Sequence, residues 1–152
     1  HWESSSVAGC EPAAVRTTRR VGRVGAVVAK AAASGAAEPR AVAPPARAFD
    51  LVCAAFIHLP TDDRRTAYAA LADAVAPGGT LLVVAHHPND IGVVPRPPYP
   101  DLFFTEADLV ADLASWDGEW DVVTAEARPR PGRHPEGNDV TLHDTVLRAV
   151  RR

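Results

Sequence analysis

Two short apolar runs flanking a helical pattern narrow most what this chain can fold into. Residues 49–56, Phe49, Asp50, Leu51, Val52, Cys53, Ala54, Ala55 and Phe56, are almost continuously apolar and of strand length. Residues 80–85, Thr80, Leu81, Leu82, Val83, Val84 and Ala85, form a second such run, rich in β-branched side chains. Runs without polar alternation belong to strands covered on both faces, as in a parallel sheet. Between them Pro60 stops the chain and Thr61, Asp62 and Asp63 start a helix, with Thr61 the expected N-cap and the two carboxylates suited to the positive helix end. Over residues 64–75, Tyr68, Leu71, Ala72 and Val75 recur at helical spacing and give one buried stripe. Pro77, Gly78 and Gly79 are expected to end that helix, with a glycine free to take the left-handed position.

Downstream, residues 86–100 read as a loop carrying five prolines, at 88, 95, 97, 98 and 100. Loops of that length are mostly lids or binding loops. Thr105, Glu106, Ala107 and Asp108 look like a capped helix start, continued by Leu109, Val110, Leu113 and Trp116. Residues 121–126 read as a strand, 129–138 as a hairpin-like loop and 140–150 as a last strand. The order gives an α/β fold that ends in an antiparallel strand pair.

The first 48 residues follow another regime. They hold seven Lys or Arg against three Glu, a net of +4, and fourteen of them are Ala. Residues 49–152 hold nine Arg against sixteen acids, a net of −7. Such a break in composition and charge divides the chain into an atypical Ala/Arg/Gly/Pro-rich segment, 1–48, and an ordinary globular region, 49–152. The whole chain, 152 residues with a net charge of −3, suits one domain. It has no run of the roughly 20 apolar residues a membrane span needs. Its two cysteines, Cys10 and Cys53, have no zinc-site spacing. A cytoplasmic protein without nucleic-acid or membrane partners is the expectation.

The motif Phe49-Asp50-Leu51-Val52, then Phe56-Ile57-His58-Leu59-Pro60, then Pro77-Gly78-Gly79 before the second apolar run, resembles the central signature of the class I S-adenosylmethionine-dependent methyltransferases. In that family the first run is strand four of a seven-stranded, Rossmann-like sheet, and the glycine turn precedes strand five. Asp101, Leu102, Phe103, Phe104, Thr105 and Glu106 resemble the segment leading into the helix before strand six. The resemblance covers residues 49–152, about two-thirds of the chain. It implies S-adenosylmethionine as cofactor, with Ala54, Ala55, Phe56 and His58 against its methionine or adenosine portion. It also implies a small-molecule methyl acceptor near His86, His87 and Asp90, in a pocket that the 86–100 loop helps to form.

The chain departs from the family upstream. The glycine-rich turn after strand one and the acid that ends strand two, which hold the cofactor's backbone-facing side and ribose, have no clear counterpart. Gly22 and Gly25 are the nearest glycine pair, and the next acid is Glu38. Three strands and two helices with their connections need about 55–60 residues, more than the 48 present. The segment is expected to be the end of a longer first half, or an out-of-frame reading of one. The remaining alternative is a genuine, reduced version with a strand over residues 24–28 and a helix over 30–37. The first two leave the sheet incomplete at its N-terminus.

Individual residues carry two readings each. His58 or His87 is the candidate general base, because imidazole titrates near neutrality. The other reading of His58 is structural, bonded to a loop carbonyl. His86 and His87 with Asp90 have ligand chemistry, but neighbouring strand residues point to opposite sides, so no metal is assigned. Cys53 reads as an inert buried thiol. Arg128, Arg130 and Arg133 read as a solvated loop. The acidic region disfavours phosphate-bearing acceptors. An inactive remnant acting as a partner subunit, or a homodimer through the open sheet edge, is the alternative function. A nicotinamide enzyme is disfavoured, since no Gly-x-Gly-x-x-Gly follows a strand.

Overall fold

A computed structural model describes residues 44–152, together with the backbone strands Arg16–Thr17 (β1) and Ala26–Ala29 (β2). Gly22, Gly25 and residues 30–37 lie outside the described residues, whereas the strand read over 24–28 has its counterpart in β2. The other elements are Phe49–Ala55 (β3), Thr61–Asp73 (α1), Val75–His86 (β4), Glu106–Ser115 (α2), Trp120–Arg133 (β5) and Asp139–Arg151 (β6). They form a six-stranded sheet in the order β1-β2-β3-β4-β6-β5. β2, β3 and β4 run parallel, and β6 lies antiparallel between β4 and β5. The expected α/β sheet with an antiparallel terminal pair is the fold observed.

Both helices cover one face. Val52 and Ala54 of β3, Leu81, Val83 and Ala85 of β4, and Leu147 and Ala149 of β6 share one core with Tyr68 and Leu71 of α1 and Leu109 and Leu113 of α2. The alternate residues Leu51, Cys53, Leu82 and Val84 belong to the opposite face and are half-buried. Cys53 is therefore not fully buried as expected, although desolvation still raises its thiol pKa and keeps it a poor nucleophile.

Three expectations about chain direction are corrected. The glycine turn does not cap α1, which ends at Asp73 with Ala74 in right-handed geometry. Instead it shapes the entry into β4, where Phe49 pairs with Val75 but Leu51 already pairs with Thr80. Gly78 supplies a φ of 78°, and a Cβ on Gly79 would come within 2.8 Å of the Ala76 carbonyl oxygen. The motif thus needs one glycine for conformation and the next for space. Thr61 is not the N-cap either: Pro60 occupies that position without a side-chain cap, and Thr61 is the first helical residue.

The third correction concerns residues 129–138. β5 continues through Pro129 and Pro131 to Arg133, paired with β6 all the way. β5 is an edge strand, and prolines two residues apart present their nitrogens to the same side, away from the partner. Arg128, Arg130 and Arg133 consequently sit on a strand and bond Glu126, Asp144 and the Gly137 carbonyl.

The one-sided core makes a direct test. Leu81→Ala should cost about 2–5 kcal/mol in denaturant unfolding, while Leu82→Ala, one residue on and facing away from the helices, should cost less than half as much. Equal losses would contradict this division of the sheet.

Candidate functional site at the carboxyl rim of the sheet

β3 ends by throwing Phe56 into left-handed backbone, φ 54°, a conformation that non-glycine residues rarely take. Such strain, of order 1–3 kcal/mol, persists only where the surroundings over-determine it. Here the Phe56 amide donates to the Val84 carbonyl at 2.7 Å, and the buried Tyr68 hydroxyl donates to the Ile57 carbonyl at 3.1 Å. The turn leaves the Phe56 ring 40% exposed at the rim. Its centroid lies 4.8 Å from that of His86, which in turn stacks on His58 at 5.1 Å and 12°.

His58 Nδ1 lies 3.0 Å from the Leu102 carbonyl oxygen. A carbonyl only accepts, so Nδ1 carries the proton and donates, and Nε2 presents its lone pair. The bond to a loop carbonyl matches the structural reading of this residue. It also sets the tautomer that a base requires. Burial pushes the His58 pKa down, opposed by the Leu102 bond and assisted by the positive charge of Arg96. His86 is lowered to about 4 by burial, by Arg96 and by His58, with Asp144 opposing. Both rings are therefore neutral near pH 7.

Several unsatisfied polar atoms gather at the same place. Among the described residues, seven buried side-chain nitrogens and oxygens have no hydrogen-bond partner, and four of them belong to His58, His86, Asp144 and the nearby Arg96. Native structures leave few such groups unpaired, and clusters of them mark places that water or a ligand completes. Asp144 holds Arg130 Nε at 2.8 Å through one oxygen, and its other oxygen stands 4.0 Å from His86 Nδ1.

His87 and Asp90 are buried next to this cluster. His87 is 5% exposed; its Nδ1 accepts from the Asn89 amide at 3.0 Å and its Nε2 lies 3.3 Å from Glu106. Asp90 is fully buried, and its carboxylate accepts from the His143 amide at 3.0 and 3.1 Å and faces Arg96 at 3.4 Å. These contacts tie the 86–100 loop to β6 and α2. The Ala54 side chain is fully buried in the helix-covered core, so Ala55, Phe56 and His58 are the expected cofactor contacts that reach the rim. No group of three or more metal-ligating residues forms among the described residues. Arg96 and Asp144 were not singled out as site residues by the sequence. Asp144 reaches His86 only through strand register, which pairs the two residues across β4 and β6.

No family model matches the chain, and no curated protein does. Solved structures do. TehB from Haemophilus influenzae matches with a TM-score of 0.52 at 17% identity, over 68% of this chain and 36% of its own. A protein solved in connection with conversion of a disulfide bond into a thioacetal group during echinomycin biosynthesis matches at 0.50 and 18% identity, over 70% and 50%. A SAM-dependent methyltransferase from Methanosarcina mazei aligns at 0.48 and 18% identity over 73% of this chain. The chain shares the α/β fold of the first two proteins, a mixed sheet with antiparallel C-terminal strands. This chain spans half or less of the length of the first two proteins. No helix among its described residues is long and apolar enough to cross a membrane.

In this fold the rim histidines make stability depend on pH. Between about 4 and the ordinary imidazole value of 6.5, the unfolded chain binds a proton at His86 that the folded chain refuses. Stability therefore falls as pH drops through that window. Thermal melting from pH 7 to 4 should show this fall, and His86→Gln should flatten it; an unchanged slope in the variant would place the titration elsewhere.

Proposed function

We propose that the chain takes part in S-adenosylmethionine-dependent methyl transfer to a small-molecule acceptor, with the carboxyl rim of β3 and β4 as its site. The observation that carries this reading is the position of Phe56. An exposed aromatic ring, held in strained backbone beside half-buried Ala55, stands where ligands of open α/β sheets sit, beyond the strand ends. Ala55, Phe56 and His58 fit one side of the cofactor; its other side would fall to residues outside those described. Bound there, the cofactor supplies a methyl group already electrophilic on its sulfonium.

The chain's own residues then align the acceptor and remove a proton. His58 Nε2 is the group for that proton, being unprotonated and fixed in one tautomer by Leu102. That nitrogen is covered by its neighbours, so an acceptor reaches it by displacing one of them. The net charge of −7 over residues 49–152 favours neutral or cationic acceptors over nucleic acid. Self-association into a homodimer would have to avoid most of the β5 edge, which a register shift at Val122/Thr124 and two prolines interrupt.

Calorimetric titration with S-adenosylhomocysteine tests the reading. Micromolar binding is expected, and Phe56→Gly should weaken it about tenfold, a loss of about 1.4 kcal/mol. The same variant should melt no lower than Phe56→Ala, because glycine relieves the left-handed strain. A folded chain that binds neither S-adenosylhomocysteine nor S-adenosylmethionine would instead favour a remnant that serves as a partner subunit.

A further inference from the structure

The short strap ahead of α2 touches three parts of the molecule within four residues. Asp101 reaches the start of α1, where its carboxylate accepts from the Thr61 amide at 3.1 Å and from the Thr61 hydroxyl. Leu102 turns its carbonyl to His58 Nδ1 at 3.0 Å. The Phe104 carbonyl accepts from the buried Thr145 hydroxyl of β6 at 2.7 Å. Asp101 and Leu102 belong to one 3-10 turn, Pro100–Leu102, so the placement of one sets the direction of the other.

Asp101 also answers a need of the helix. Pro60 at the N-cap position has no side-chain oxygen to offer, which leaves the first amides of α1 without a local acceptor. A carboxylate from forty residues away takes the Thr61 amide instead, and sits at the positive end of the helix dipole. The bonds from Thr61 hold the Asp101 carboxyl below the usual carboxylate range, as expected of an acceptor of two donors.

We infer that Asp101 is a positioning residue for His58: by clamping the strap to α1 it aims the Leu102 carbonyl at Nδ1, and so keeps the lone pair on Nε2. This rests on the reading of His58 as the base. A free imidazole exchanges between its two tautomers, whereas a ring held at Nδ1 by a carbonyl is confined to one. Loosening the strap would release that confinement. It would also let water reach the ring, and since desolvation is the main cause of its lowered pKa, the pKa would rise even as the Leu102 bond is lost.

Nitrogen-15 NMR of the histidine ring on the full chain measures both effects without an acceptor, and His58→Gln assigns the signal by its disappearance. In the unaltered protein His58 should be the Nδ1–H tautomer with a midpoint below the ordinary imidazole value. Asp101→Ala should give a mixture of tautomers and move the midpoint up, while Asp101→Asn, whose amide oxygen still accepts from Thr61, should restore the single form. Far-ultraviolet circular dichroism and melting check that each variant folds. Should Asp101→Ala fail to fold, Thr61→Val, which keeps the amide bond and loses the hydroxyl, should show a partial population of the second tautomer. An Nδ1–H ring with an unchanged midpoint in the folded variants would reduce Asp101 to a helix cap and overturn the proposal, leaving the base reading intact. An Nε2–H ring in the unaltered protein would overturn both.

Discussion

A buried ion pair holds the two helices in the relation that everything at the rim depends on. Arg64 of α1 and Asp112 of α2 meet at 2.8 Å with almost no solvent contact, and Arg65 adds a second bond to the same carboxylate at 2.9 Å. Breaking such a pair by removing one partner costs about 3–5 kcal/mol, because the other charge is stranded. The Arg64 guanidinium also lies 4.6 Å above the Phe104 ring, whose edge-to-face neighbour is Tyr68. Tyr68 holds the Ile57 carbonyl between Phe56 and His58. Helix packing, strap and rim are thus joined through Arg64, Phe104 and Tyr68.

Much of this was legible in the sequence, and the reason is local. An uninterrupted apolar run can only be a covered strand, and Thr105 with Asp108 makes the reciprocal cap that the spacing predicts, at 3.2 and 2.8 Å. The glycine pair was visible, but its use was not. Nothing in the order of residues says that Gly79 faces the Phe49 carbonyl across a bulge. β5 was cut short for a similar reason: proline in a strand is read as a break until the strand is known to be an edge.

The site was half legible. Phe56 and His58 stand at the end of a strand, where α/β folds collect ligands, and position alone singles them out. Asp101 and Asp144 could not be found that way. Each acts across forty or more residues, on Thr61 in one case and beside His86 in the other. Charge and spacing along the chain carry no signal for such contacts, because they arise only when register and loop path are fixed.

Register also decides why two adjacent histidines meet different fates. Side chains alternate across a strand with period two, so the end of β4 sends His86 to the face that carries Leu82 and Val84. Across the ladder its partner is Asp144, on β6. His87 continues toward the other side and is buried against Glu106 at the start of α2. A slip of one residue of β6 along β4 would take Asp144 away from His86 and turn its carboxyl toward the helices. The apolar alternation that seats Leu81, Val83 and Leu147 in the core forbids that slip. The packing of the core therefore chooses which histidine faces the rim, well before any ligand could.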